Sequence, residues 1–226
     1  MKNMFSPDSK MMSVLGYIAD LFILNVLYTV CCIPVVTIGA AQAGLHNAAR
    51  ILQDPLDDRS AIKGFFRGMK EGFFKITLAH VLFLIVDGIL YYTLYVAYTN
   101  RETGLFVHWG IPLAALCFAM IYQHTTALFH SQFSCTFGQL LRNSAMMMIW
   151  HPLASVLSTV LLCVPMIMFL LTPNLFVDIT PLFITVYFSL AAIGARLLNR
   201  KGFKALIDHY NNPKALDGED GEEEDE

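Results

Sequence analysis

Asp87 is the residue whose type and place most suggest chemistry. It is the twelfth residue of the apolar run Ile76–Tyr98. In a spanning helix it lies near mid-bilayer, where a carboxylate costs roughly 2.5–3.5 kcal/mol on insertion scales. A carboxyl placed at that cost must face protein or water, or hold a proton. His80 precedes it by seven residues, two helical turns, and shares its face. His80 and His124 lie four and five residues inside the ends of neighbouring apolar runs, so their depths match. Asp20 and Asn25 occupy the outer half and the middle of the first run. These five residues are the intramembrane polar candidates. As a functional set they would form a polar pathway or a proton-responsive site. The commoner role of such groups is interhelical hydrogen bonding that fixes packing.

No catalytic constellation accompanies them. The sequence contains no phosphate-binding glycine loop, no dinucleotide fingerprint, no zincin helix and no nucleophile elbow. Cys31, Cys32, Cys117 and Cys163 sit in apolar runs and Cys135 in a short connection, with neither a disulfide framework nor zinc spacing. The expectation is a protein that is not an enzyme and takes no cofactor and no metal.

The elements that would position these groups are membrane helices. Of the 226 residues, 56% are apolar and 15% charged, against roughly 45–50% and about 25% in soluble domains. Mean hydropathy is +0.54. Five runs are long enough to span: Val14–Ile38, Ile76–Tyr98, Leu105–Phe129, Pro152–Thr172 and Ile179–Leu198, each reaching about 30 Å or more as a helix. The first is too long for a signal peptide and carries Asp20 and Asn25, so it reads as an uncleaved helix. Val35–Leu52, rich in Ala and Gly after Pro34, leaves open whether the chain re-enters the membrane there.

Charge sets the orientation. Twelve of the 15 Lys and Arg fall in the segment 39–75, at Arg142, or in the C-terminal region, and three (Lys2, Lys10, Arg101) on the other side. The positive-inside rule then puts the C-terminus in the cytoplasm and the N-terminus outside. The formal charge of −3 hides a division, because eight of 18 acids lie in Asp217–Glu226. Residues 1–210 read as an integral membrane helical domain of net positive charge, and 211–226 as an acidic disordered tail. The lack of a long basic run makes a nucleic-acid partner unexpected.

Two cytoplasmic connections carry interfacial helices. In Ser60–Lys75, Ile62, Phe65, Phe66, Met69, Phe73 and Ile76 recur on one face and Lys63, Arg67 and Lys70 on another, the pattern of a helix lying in the headgroup layer. Gly64, Gly68 and Gly72 form a stripe that costs about 3 kcal/mol relative to Ala. Close packing on another helix would offset it. The second such helix is Ser134–Ile149. The order of span, connection, interfacial helix and span thus occurs twice, which is compatible with a parallel internal repeat. The fold expected is all-α: a polytopic membrane helical bundle of about five transmembrane helices with two cytoplasmic interfacial helices.

The N-terminal third resembles a known family. Phe5, Pro7, Asp8 and Ser9, then Asp20-Leu21, Leu24-Asn25, Pro34-Val35-Val36-Thr37-Ile38-Gly39-Ala40, and Phe65-Phe66-Arg67 with Lys70 and Phe73, are similar to the YesL-like family of small bacterial integral membrane proteins, a domain of unknown function. Arg142-Asn143 and His151-Pro152 look like its second signature. The resemblance extends over about residues 4 to 200 and leaves out the acidic tail. It implies a helical protein of the bacterial plasma membrane, found among genes for carbohydrate uptake and its regulation, with no catalytic residues to carry over. The expectation is a non-enzymatic accessory or regulatory protein. Its partners would be the lipid bilayer and carbohydrate ABC transporter permease or sensor kinase subunits. The alternative is a small membrane transporter that uses the intramembrane polar residues. A lipid- or glycan-modifying enzyme is the weakest reading.

Overall fold

A computed structural model of the chain describes residues 10–54, 60–99 and 107–211. The acidic segment Asp217–Glu226 lies outside the described residues, as do Lys2, Arg59, Arg101 and Lys214. Nine α-helices occur among the described residues: α1 (Lys10–Cys31), α2 (Ile38–Gln53), α3 (Ala61–Lys70), α4 (Phe73–Thr99), α5 (Val107–His130), α6 (Phe137–Trp150), α7 (Pro152–Leu171), α8 (Pro173–Leu182) and α9 (Phe188–Asn211). Four stretches, within α1, α4, α5 and α7, are long and apolar enough to cross a membrane; α8 and α9, bent by 50°, make a fifth if the pair is one span. The polytopic helical bundle expected from the sequence is therefore the fold. Large apolar side chains such as Phe74, Ile89, Tyr91, Leu153 and Leu171 point outward, as they should where lipid replaces water.

The boundaries differ from the hydropathy reading at two breaks. The first span ends at Cys31, not Ile38, because Pro34 supplies no N–H and a short 3₁₀ turn, Val35–Thr37, leads directly into α2. The Thr37 hydroxyl donates to the Cys31 carbonyl at 2.6 Å and closes that corner. The second break divides the expected run Ile179–Leu198. Pro181 lacks the N–H that would bond the carbonyl four residues back, and the helix widens into a π turn at Phe183–Tyr187.

Between these breaks lies α2, the most buried element. Eleven of its 16 residues, from Gly39 to Ile51, are buried, and it packs against α1, α3, α4, α5 and α9. It is not among the candidate spans. The Ala and Gly content that lowers its hydropathy is what lets five helices approach it closely.

The stripe of glycines in α3 meets α2. A Cβ at Gly64 would overlap Ile51 Cδ1, and one at Gly68 would lie 2.6 Å from Asn47 Cβ. From the other side, a Cβ at Gly44 would meet the Phe65 carbonyl at 2.7 Å. The close packing that would offset the cost of helical glycine is thus present. Two details of the interfacial reading change. The helix stops at Lys70, and Gly72 at φ +68° turns the chain, so Phe73 and Ile76 belong to α4. Phe65 is fully buried in protein while Phe66 is half-exposed, so the two are not on one lipid-facing surface. Among the described residues the second half of the chain has α6 but no counterpart of α2, so the repeat recurs only in part.

Candidate functional site

Where α2, α4, α5 and α9 converge, the interior is polar. Gln42 and His46 stand one turn apart on α2, so they share a face. Gln123 and His124 are adjacent on α5. The Gln42 amide nitrogen donates to His124 Nδ1 at 3.0 Å, and the Gln123 amide nitrogen donates to His80 Nδ1 at 2.5 Å. With Nδ1 accepting, each ring carries its proton on Nε2, an assignment that follows from the amide orientation. His80 is positioned by Gly39, because a Cβ there would lie 2.8 Å from His80 Cβ. Only glycine admits the α4 backbone and its imidazole this close to α2.

His46 completes the group. Its ring centroid lies 5.3 Å from that of His124, with the planes tilted by 59°. The residue is fully buried, and neither ring nitrogen has a hydrogen-bond partner; the Nε2 atoms of His80 and His124 and Nη1 of Arg196 are buried without one as well. The Ala192 backbone lies beside the His46 ring, and that of Val35 beside the His80 ring, neither within hydrogen-bond geometry. Burial pushes the His46 imidazole well below its ordinary value of 6.5, and the neighbouring His124 and Arg196 push it in the same direction. It is therefore a neutral group, set beside the His124 ring and the Arg196 guanidinium. Next to His80 is a cavity of about 10 Å³ lined by Gln42, Gln123 and Thr126 along with apolar groups. That is the room of one water molecule, with enough polar partners to hold it.

The other sequence candidates divide. Asn25 is fully buried and clasps the π turn: its amide nitrogen donates to the Phe183 carbonyl at 2.8 Å, and its Oδ1 accepts from the Ser189 N–H at 3.1 Å. The Ser189 hydroxyl donates to the Leu21 carbonyl at 2.9 Å. Asn25 thus satisfies backbone groups that the break in the last span exposes. Asp20 is half-buried on α1. Asp87 is half-buried on α4, with Oδ1 buried and unpartnered. It shares a face with His80 but stands two turns from the His–Gln group. Lys63, Arg67 and Lys70 are all exposed on α3.

Reasoning from the sequence paired His80 with His124 by depth but missed Gln42, His46, Gln123 and Arg196. The missed signal was local: Gln42 and His46 at i and i+4 in a helix otherwise built of small residues. Among the described residues no group of three or more His, Cys, Asp or Glu could hold a metal ion. The arrangement can hold neutral hydrogen bonds and an internal water. It joins the spans α4 and α5 to α2.

Residues 21–94 match the family model described as "Protein of unknown function, DUF624". The match runs from α1 through most of α4 and bears out the resemblance to the YesL-like family over that segment. No curated protein matches the chain, and no solved structure does.

Proposed function

We propose, from the premise that residues 21–94 carry the DUF624 family's sequence, that this chain is a non-enzymatic accessory or regulatory protein. It resides in the bacterial plasma membrane with its C-terminus in the cytoplasm and serves carbohydrate uptake or its sensing. Its partners are permease subunits of a carbohydrate ABC transporter or a sensor kinase. The family resemblance supports the carbohydrate link, and the distribution of Lys and Arg supports the orientation. The observation that carries the regulatory reading is α2. This buried helix touches α1, α4 and α5 as well as α3 and α9, so one element joins the exposed helix α3 to the membrane bundle. Copurification tests it: the chain should be inert alone in liposomes and should bring down permease or kinase subunits from native membranes.

A small transporter is the second reading, favoured by one observation, the unpartnered Asp87 carboxyl oxygen within α4. Such a protein would move solute by itself in liposomes.

A further inference from the structure

The helix α3 divides into three faces that differ in what they meet among the described residues. One face, Ala61, Gly64, Phe65 and Gly68, is buried against α2. A second edge, Ile62, Phe66 and Met69, lies about 100° round the helix and is apolar and part-exposed. The third, Lys63, Arg67 and Lys70 at i, i+4 and i+7, is wholly exposed. Among these cations, Arg67 has a distant ion pair with Glu71 at 3.8 Å, both side chains being more than half exposed.

The helix is also held in place. Gly72 turns the chain into the membrane-long helix α4 with φ +68°. His130, at the end of α5, lies against that turn: its Nε2 donates to the Glu71 carbonyl at 2.8 Å, and a Cβ at Gly72 would lie 2.6 Å from its ring. Lys75 Nζ donates to the Cys135 carbonyl at 3.0 Å and braces the next turn. Directly after the corner comes Phe74, 86% exposed at the start of a candidate span. The basic face is therefore fixed beside the point where the chain passes into the apolar layer, with Phe66 next to it.

We infer that Lys63, Arg67 and Lys70 form a binding site for the phosphate headgroup of an anionic phospholipid, with Phe66 and Phe74 against its acyl chains. The charge of the face fits an anion, and two residues after Lys70 the chain turns at Gly72 into the membrane-long helix α4, which begins with Phe73 and the exposed Phe74. A cation near an anionic membrane surface contributes roughly fivefold in affinity, and the fixed corner at Gly72 spares the cost of ordering the three side chains' backbone. The inference is independent of the carbohydrate reading.

The test is native mass spectrometry of the full chain released from nanodiscs containing phosphatidylglycerol or phosphatidylcholine. The wild type should retain phosphatidylglycerol in preference to phosphatidylcholine. K63Q/R67Q/K70Q should lower that retention roughly 100-fold, from three such contributions, whereas R200Q/K201Q/K204Q, which removes three exposed cations of α9, should not. His130→Ala, which leaves every cation of α3 in place, should lower it several-fold; its melting temperature in detergent checks that the fold persists. Equal retention by wild type and the α3 triple variant would overturn the site. So would unchanged retention in His130→Ala, since charge alone would then suffice, or a preference for a soluble polyglutamate peptide over the lipid.

Discussion

The rings of His46 and His124 lie 5.3 Å apart with no hydrogen bond to each other, and the first belongs to a helix too short and too rich in small residues to be a candidate span. This contact, together with Gln42 to His124, ties α2 to α5. Its acid response follows from burial. Because the folded-state value of His46 is lowered, the folded protein binds fewer protons than the unfolded chain once the pH falls below about 6.5. Stability is then full above that pH and declines as pH falls toward the lowered folded-state value. Melting in detergent at pH 7.5 and pH 5 should show the decline. His46→Phe, a neutral ring of similar size, should make it shallower; an unchanged slope would assign the acid sensitivity elsewhere.

Asn25 is the clasp of the broken last span. Asn25→Ala leaves the Phe183 carbonyl and the Ser189 N–H without their partner, and a buried group left unsatisfied costs roughly 1–3 kcal/mol. The expected result is a lower melting temperature and faster proteolysis near residue 183, with Asn25→Asp rescuing only the Ser189 contact. Wild-type behaviour of the alanine variant would show that the π turn is held by α7 and Tyr187 instead.

Glycines predict opposite outcomes by position. Gly68→Ala drives a Cβ to within 2.6 Å of Asn47 Cβ, displacing α3 from α2, and should destabilise by about 1–3 kcal/mol. Gly88→Ala on α4 meets nothing within 4 Å. It should be neutral or stabilise by up to about 1 kcal/mol through helix propensity. Denaturation of the two variants side by side checks the pair, and the account fails there if their order is reversed.

How legible this was in the sequence depended on which force dominated locally. The runs that became α1, α4, α5 and α7 are set by the apolar length a bilayer demands, so hydropathy located α4, α5 and α7 to within a few residues and missed the early end of α1 ahead of Pro34. The glycine stripe was readable in part, because unfavourable residues at one spacing require a compensating partner: Gly64 and Gly68 meet α2, while Gly72 lies beyond α3 and makes the turn. The helix α2 was not, since hydropathy scores transfer to lipid, while α2 is buried among protein helices by small residues whose transfer value is slight. The break in the last span likewise follows from Pro181 and from Asn25, 158 residues distant from Phe183, a pairing no local pattern displays. The separation of Asp87 from the His–Gln group needed the three-dimensional packing.

Asp87 separates the two functional readings. In an accessory protein Asp87→Asn keeps the shape and removes the ionisation cost, so protein level and growth on the relevant carbohydrate should both stay near wild type. Lost growth at normal immunoblotted abundance would favour a transporter whose carboxylate must change charge.

Orientation is tested in a cysteine-free background with Asn3→Cys and Thr103→Cys. Both should react with an impermeant maleimide in intact cells. Labelling of position 3 only after permeabilisation, with position 103 reactive throughout, would contradict an even number of crossings between them and with it the five-span assignment.

The most direct measurement of the accessory role is photocrosslinking in native membranes, with a photoreactive residue in place of the exposed Lys204 on α9, followed by mass spectrometry of the adducts. The prediction is specific adducts with carbohydrate permease or sensor kinase subunits, while the purified chain alone moves no sugar in liposomes. Adducts only with lipid or with further copies of the chain, together with solute movement by the purified chain, would contradict it.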